Sequence, residues 1–379
     1  MKRSRKIEKP KKEIIPLLRP WLVNLKEMIP DLEKVWASGK LSLGQYTEKL
    51  EAMARKELGV KEAIAVSSCT SGLILVLKAL NLKKKVIVPD YTFPATSHSV
   101  LWVSAQVRFC DIDLDDFTIS PKALAEIDDP EVEAVIAVNI FGLPPKISEL
   151  EKICRKKGWK LIFDSAQGAG AEYQGKNCGG FGAAEVFSLS PSKVITSAEG
   201  GLITTNDSEL AHRLRQLRDY GKGPDKEDML EVGLSVRMSE LCAVLASHNF
   251  RHLKPLRQER EKLVKRYQEK LSHLPGLAFQ SGDGGRKSGH NYFVFRITES
   301  AGKTRDQVLS ELRQAGIECK RYFYPPLHRL TAYRGISNGG FKNAEKLSRE
   351  AIAVPLYSGM KIQDQDQVIK EITRSICEK

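Results

Sequence analysis

The stretch that decides the fold runs from residue 134 to 164. It reads Ala134-Val-Ile-Ala-Val138, then a polar helical segment at Ser148–Lys157, then Lys160-Leu-Ile-Phe163 leading straight into Asp164. Both apolar runs are too uniformly apolar for half-exposed strands, which points to a sheet covered on both faces. Strand, helix and strand in that order make a crossover unit, so the two strands run parallel. The same pattern extends outward through Ala63-Ile-Ala-Val-Ser67, Val86-Ile-Val-Pro89, Val107-Arg-Phe-Cys110, Glu185-Val-Phe-Ser-Leu189 and Gly201-Leu-Ile-Thr-Thr205, with helical segments at Leu73–Leu80 and Ser208–Arg218. These predict an α/β domain built on a mostly parallel, seven-stranded sheet.

After about residue 250 the pattern changes. Arg251–Leu274 reads as one long charged helix. A strand at Asn291–Ile297, a helix at Thr304–Ala315, a strand near Ile317–Tyr324 and helices at Asn343–Ile352 and Gln363–Ile376 follow. The expected organisation is a basic tail and N-terminal arm over 1–30, a large domain over 31–250 and a small α+β domain over 251–379. The Gly-rich Ser281-Gly-Asp-Gly-Gly285 is a turn, because no helix start follows it to cradle a phosphate.

Composition narrows the class. In 379 residues, 41% are hydrophobic and 28% charged, as in a soluble globular protein. No apolar stretch approaches the ~18 residues of a membrane span, and the basic start lacks the apolar segment of a secretory signal. A cytoplasmic protein is expected. The seven cysteines are scattered and form no C-x-x-C pair, which argues against a zinc site or a disulfide framework; no metal is expected. Sixty basic against 47 acidic residues leave a net charge of +13. Either nucleic acid or a phosphorylated small molecule would suit that balance. Lys2, Arg3, Arg5, Lys6, Lys9, Lys11 and Lys12 carry much of it, however, and without this tail the chain is only mildly basic, so nucleic acid is not the expected partner.

Ligands of open parallel sheets gather at the C-terminal ends of the strands. The first run is followed by Ser68, Cys69, Thr70, Ser71 and Gly72 and then by an apolar helix. Such a start is either an anion site or an ordinary hydroxyl cap. Asp164 leaves a buried strand with Gln167 three residues on, as a helix cap or as the partner of a cation. Ser188 ends another strand, Lys193 sits in the loop after it, and Glu199-Gly200-Gly201 permits a tight return into the next strand. Singly, each has a bland reading. Together, a helix start for a phosphate, a carboxylate for a pyridinium nitrogen and an amine for an aldehyde are what a pyridoxal phosphate enzyme needs.

With these residues in place, the chain resembles the DegT/StrS family of pyridoxal phosphate-dependent nucleotide-sugar aminotransferases. The resemblance runs through Ile15-Pro-Leu-Leu-Arg-Pro20, Ala37-Ser-Gly-Lys-Leu-Ser-Leu-Gly44, Val66-Ser-Ser-Cys-Thr-Ser-Gly-Leu73 and Val88-Pro-Asp-Tyr-Thr-Phe-Pro-Ala-Thr96. It continues with Asp164-Ser-Ala-Gln167, Phe187-Ser-Leu-Ser-Pro-Ser-Lys193, Glu199-Gly-Gly201 and Arg237-Met-Ser-Glu240, and in the small domain with Tyr324-Pro-Pro-Leu-His328 and Val354-Pro-Leu-Tyr357.

The resemblance implies the type I fold of aspartate aminotransferase, with pyridoxal 5′-phosphate as cofactor. It implies that Lys193 forms the internal aldimine and shuttles a proton, that Asp164 holds the pyridine nitrogen protonated, and that Gln167 donates to the ring oxygen. Phe93 would stack on the ring, while Thr70, Ser71 and Ser188 would bind the phosphate. Tyr324 and His328 would lie near the sugar or nucleotide. The implied reaction passes an amino group from L-glutamate, or glutamine, through pyridoxamine phosphate to a keto sugar nucleotide. A homodimer with shared active sites is implied too, and there Ser235 stands where the partner's Asn usually reaches the phosphate. Other departures are Asn139 in place of His, Ser190 in place of a large polar residue, Ala198 in place of Gly, and a short loop at Lys222–Val232. Lys193 argues against the family's sugar dehydratases, which carry His there. Amination of a keto-cyclitol and a catalytically silent regulator that uses its basic tail on nucleic acid remain as alternatives.

Overall fold

The computed structural model describes residues 14–225, 227–336 and 339–378; the basic tail lies outside them. Twelve α-helices and thirteen strands are found among the described residues. The first half contains α1 (Leu25–Ser38), α2 (Gln45–Leu58), β1 (Glu62–Val66), α3 (Cys69–Ala79), β2 (Lys85–Pro89), α4 (Ala95–Trp102), β3 (Gln106–Cys110), α5 (Pro121–Ala125), β4 (Val132–Val138), α6 (Ile147–Lys157) and β5 (Lys160–Asp164). Two short strands, β6 (Glu172–Tyr173) and β7 (Lys176–Asn177), precede β8 (Ala184–Ser188), β9 (Gly201–Thr205), α7 (Ser208–Arg218), α8 (Glu240–Phe250) and α9 (Leu253–Leu271). Then come β10 (Leu277–Phe279), β11 (Arg286–Lys287), β12 (Phe293–Ile297), α10 (Arg305–Gln314), α11 (Lys342–Glu350), β13 (Ala351–Val354) and α12 (Ile362–Cys377).

The main sheet has the order β1-β9-β8-β5-β4-β2-β3. The contacts from β8 through β3 are parallel, and β9 alone runs antiparallel to both of its neighbours. All seven expected strands are present, and the mixed sheet agrees with the predicted class. Residues of alternating parity go to opposite faces, as the period of two requires. Ile64, Val66, Val88, Ile136, Ile162, Val186 and Ile203 share one core with α3 and α7. On the other face Ala63, Ala65, Phe187 and Leu202 meet residues of α2 and α8, and Val135, Ala137, Leu161 and Phe163 meet residues of α6. Burial of both faces explains why these strands show no polar alternation in the sequence.

The register brings the chemistry to one edge. Val66 and Ser188 both lie opposite Gly201, while Asp164 lies opposite Val138 and Val186. The ends of β1, β8, β5 and β4 therefore open on one side of the sheet, where β9 begins. Gly201 makes this possible. A Cβ there would fall 2.5 Å from the Ser68 carbonyl carbon and 2.7 Å from Cys69 N, so only glycine lets the start of α3 rest against β9.

The second sheet, β10-β12-β13, is antiparallel. Its core combines Phe293, Phe295, Ile352 and Val354 with Leu263 and Tyr267 of α9, Val308 and Leu312 of α10, and Val368 and Ile372 of α12. Ile15 joins this core, and Leu17 N–H donates to Glu318 Oε2 at 3.0 Å. Two expectations change here. No strand forms over Ile317–Tyr324, where only isolated bridges link Ile15 to Ile317 and Lys320 to Ala353; Pro325 and Pro326 follow and lack the N–H that a ladder needs. The helix expected to reach Ile352 stops at Glu350, because the uniformly buried Ala351–Val354 pairs with β12 instead.

Candidate active site

Helix α3 starts with a complete capping box. Ser68 Oγ accepts the Ser71 N–H at 3.1 Å, and Ser71 Oγ accepts the Ser68 N–H at 3.1 Å. Gly72 N–H bonds to the Ser68 carbonyl. The Cys69 and Thr70 N–H groups have no protein acceptor among the described residues, so two donors at the positive end of the helix dipole are left unpaired by the protein. Thr70 keeps its hydroxyl available beside them. Ser71 does not, because its hydroxyl also donates to the Ser68 carbonyl at 2.9 Å; its place is in the cap. Ser188, at the end of β8, accepts the Ser190 N–H at 3.3 Å and donates its hydroxyl to Ser190 Oγ at 3.2 Å, a side-chain partner that can turn away, unlike the Ser68 carbonyl that holds Ser71.

Lys193 lies in a pinned loop. Lys193 N–H bonds to the Ser190 carbonyl, Val194 N–H to Asn291 Oδ1 at 3.2 Å, and the Thr196 hydroxyl to the Leu189 carbonyl at 3.0 Å. The Asn249 amide donates to the Thr196 carbonyl at 2.8 Å. These anchors fix where the lysine leaves the backbone. Its Nζ sits 5.9 Å above the Tyr292 ring, a distance at which ammonium and ring attract.

Asp164 is the most constrained group of the site. It is 4% exposed. Its Oδ2 accepts the Thr96 hydroxyl at 2.7 Å, and its Oδ1 accepts the Ala166 N–H at 3.0 Å, with Cys69 Sγ at 3.9 Å. Burial raises its pKa above the ordinary carboxylate value, and the Thr96 and Ala166 hydrogen bonds and the positive charge of Lys193 offset that rise only in part. A carboxylate has about four lone-pair positions. Three donors are present, so one position on Oδ2 remains for a further N–H. Gln167 accepts the Phe141 N–H at 2.5 Å through Oε1, which fixes the direction of its amide and leaves Nε2 to donate elsewhere.

The structure gathers the start of α3, Asp164, Gln167, Ser188 and Lys193 at one edge. Phe93 belongs to the same neighbourhood: it lies three residues before Thr96, is 58% exposed, and is 6.2 Å from the Phe323 ring. Tyr324 is half exposed, with the guanidinium groups of Arg305 and Arg321 at 5.3 and 5.2 Å from its ring. His328 goes elsewhere. Its Nδ1 lies 2.6 Å from Asp90 Oδ2 and its Nε2 3.1 Å from Glu345 Oε1. Both ring nitrogens are taken, Nδ1 by Asp90, a fully buried carboxyl that needs donors, and Nε2 by Glu345, so the imidazole has none to offer a sugar. Ser235 is exposed and accepts from Arg237 Nη2 at 3.1 Å. The cavity behind Tyr292, lined by Arg257, Glu261, Gln268 and His290, contains none of the residues at the sheet edge.

Sequence reasoning missed Thr96 and Tyr292 as parts of this site, and placed Cys69 in the helix start without its contact to Asp164. Thr96 was visible only as the last residue of a longer motif, and nothing near it in sequence pointed to Asp164.

A family model described as the DegT/DnrJ/EryC1/StrS aminotransferase family matches residues 24–373. The dTDP-4-amino-4,6-dideoxy-D-glucose transaminase of Escherichia coli is 27% identical, over 96% of this chain and 98% of its own length. The GDP-perosamine synthase of Caulobacter vibrioides is 30% identical, over 89% and 91%. The solved structure of DesI with its TDP-sugar product superposes with a TM-score of 0.91 at 28% identity, covering 97% of this chain and 94% of that one.

The cofactor of these enzymes is pyridoxal phosphate, and the residues present fit it. The open lone pair on buried Asp164 suits a ring N–H, the two free N–H groups of α3 suit a phosphate, and Lys193 supplies the amine.

Proposed function

The chain belongs to the DegT/DnrJ/EryC1/StrS aminotransferase family, and on that premise we propose that it moves an amino group from L-glutamate, or glutamine, to the keto carbon of a nucleotide-linked deoxysugar. Sugar transamination with pyridoxal phosphate comes with the family; donor and acceptor are the proposal. One observation carries it: a buried carboxylate with one lone pair open shares a sheet edge with a lysine amine and a helix start whose first donors are free.

Pyridoxal phosphate, when bound, supplies an aldehyde and an electron-withdrawing ring. Lys193 would hold the cofactor through its amine and, in each half-reaction, move a proton between the substrate carbon and the C4′ carbon of the cofactor. Asp164 accepts the ring N–H and keeps its charge in place. Gln167, turned by the Phe141 N–H, donates to the ring oxygen, and Phe93 covers one ring face. Thr70, Ser188 and the first amides of α3 hold the phosphate, with Ser71 keeping that turn in shape. Tyr324 lines the acceptor side, where Arg321 suits a diphosphate.

A homodimer with shared active sites belongs to the same proposal. Its support is the loop around Ser235, where Tyr220, Met229, Leu230 and Val232 are all exposed apolar residues. Action in the cytoplasm is supported by seven free cysteines, as in a reducing compartment. No helix among the described residues is long and apolar enough to cross a membrane.

The test starts with visible absorbance of the reconstituted protein. L-Glutamate should bleach the yellow band in the wild type and leave Lys193→Ala unchanged. Transfer to dTDP- and GDP-linked keto-deoxysugars, followed by 2-oxoglutarate release, then identifies the acceptor. Bleaching of Lys193→Ala at the wild-type rate would remove the lysine from the mechanism. Turnover of a keto-cyclitol with no turnover of any nucleotide-linked sugar would overturn the acceptor.

A further inference from the structure

Asp164 must do two opposed things. It must be buried, so that its interaction with a ring nitrogen is not screened by water, and it must stay ionised, so that there is a charge to interact. Burial alone would make it a neutral acid. The donors around it work against that.

Those donors are unequal. The Ala166 N–H comes from the backbone two residues away and is present in any residue context. Cys69 Sγ, at 3.9 Å, is a weak and distant donor that also lies 3.5 Å from the Val186 carbonyl. Thr96 is different. Its hydroxyl reaches Oδ2 at 2.7 Å, the oxygen that keeps a lone pair open. The side chain is fully buried, and the Thr92 hydroxyl stands 3.1 Å behind it. Thr92 is buried as well, so no bulk water competes for the donor.

We propose that Thr96 is a positioning residue for the cofactor nitrogen: its hydroxyl, steadied by Thr92, keeps Asp164 an acceptor and aims the remaining lone pair of Oδ2 into the site. Thr96 touches neither cofactor nor substrate; it acts through Asp164. Helix α4 therefore takes part in the site through the Thr96 hydroxyl. The inference deepens the proposed function and rests on Asp164 as the partner of the ring nitrogen.

The experiment compares two ligands on four proteins: wild type, Thr96→Val, Thr96→Ser and Thr92→Val. The ligands are pyridoxal phosphate and deazapyridoxal phosphate, which has C–H in place of the ring nitrogen and the same phosphate and aldehyde. Dissociation constants come from titration of the visible band, and borohydride trapping on Lys193 reports separately whether the site accepts each ligand. Wild type should prefer pyridoxal phosphate. Thr96→Val should lose about ten- to hundred-fold in affinity for it, the worth of one hydrogen bond to a charged group, and keep its affinity for the deaza analogue within about two-fold. Thr96→Ser should restore the preference, and Thr92→Val should show a smaller loss of the same kind.

Equal weakening of both ligands in Thr96→Val would mean that the residue only packs, and would overturn the proposal. So would an unchanged preference. A wild type that binds both ligands equally, with trapping on Lys193 intact, would overturn it together with the role of Asp164. Absence of trapping in the wild type would instead remove the cofactor site itself and the inference with it.

Discussion

Glu185 allows a pH-dependent stability effect to be worked out from one residue. It is a buried carboxyl on β8, 1% exposed. Its Oε1 accepts the N–H groups of Gly179 at 2.5 Å and Phe181 at 3.0 Å, and its Oε2 accepts the Ser165 hydroxyl at 2.7 Å. Ser165 in turn accepts from Asn139 Nδ2 at 2.8 Å. No cation is among its partners. Burial pushes its pKa up from 4.5 to about 7, against the pull of those three donors. The folded protein therefore keeps this proton where the unfolded chain has released it. The stabilisation is fully present below about pH 4.5, declines as pH rises, and is gone above about pH 7. At about 1.4 kcal/mol per pH unit, the window amounts to roughly 3 kcal/mol. Glu185→Gln keeps the shape and does not titrate, so the difference between the two proteins isolates this residue. The proteins should be nearly equal in stability at the acid end, and the variant should be more stable by up to roughly 3 kcal/mol above neutrality. Urea unfolding of both proteins across this pH range measures it. A difference independent of pH, or a variant less stable at alkaline pH, would refute the reasoning and show that Glu185 is ionised throughout, held by its three donors.

Two further predictions concern strain and burial. Ala198 precedes Glu199-Gly-Gly201 with φ at +68°. A left-handed residue with a Cβ costs roughly 1–2 kcal/mol, and glycine loses roughly 0.5–1 kcal/mol in chain freedom on folding. Ala198→Gly should therefore stabilise by up to about 1 kcal/mol, seen as a raised melting temperature with transaminase activity retained; a lowered melting temperature would contradict it. His328→Leu removes the side-chain donor from Asp90, whose pKa burial already raises to about 6, and should cost roughly 2–4 kcal/mol with KM for the sugar acceptor unchanged. A variant that keeps its melting temperature and loses acceptor affinity would return His328 to the substrate.

The parts of this protein that were legible in sequence share a cause. Strands buried on both faces must be apolar throughout, so their positions show as uninterrupted runs, and residues directly after such runs fall at one sheet edge. Asp164, Ser188 and the start of α3 were found by that rule, and Lys193 by its motif. What stayed hidden depends on partners distant in the chain. Gly201–Thr205 reads the same whether it runs parallel or antiparallel to its neighbours. Ala351–Val354 follows a helix without a breaker, and only β12 makes it a strand. His328 carries no sign in its own sequence that Asp90, 238 residues away, holds its ring.

Asp164 and Glu185 show how one step of register separates two chemistries. In the β5–β8 pairing Phe163 lies opposite Glu185 and Asp164 opposite Val186. The two carboxyls, both buried on adjoining strands, therefore point to opposite faces of the sheet. Asp164 shares its face with Cys69 of α3, with Thr96 of α4 and with the charge of Lys193; the hydrogen bonds and the positive charge oppose the rise that burial imposes on its pKa. Glu185 faces the other side, among Phe163, Phe181 and Phe187, with two amides and a hydroxyl but no positive charge. A slip of one residue along β8 would bring the second carboxyl onto the face of the first. Two buried acids would then compete for one proton beside the lysine, and the carboxylate meant to hold a cationic ring nitrogen would hold the proton of its neighbour. The apolar residues that follow Glu185, Val186 on one face and Phe187 on the other, therefore protect the chemistry of the site as well as the stability of the sheet, because they fix the register that keeps the two acids apart.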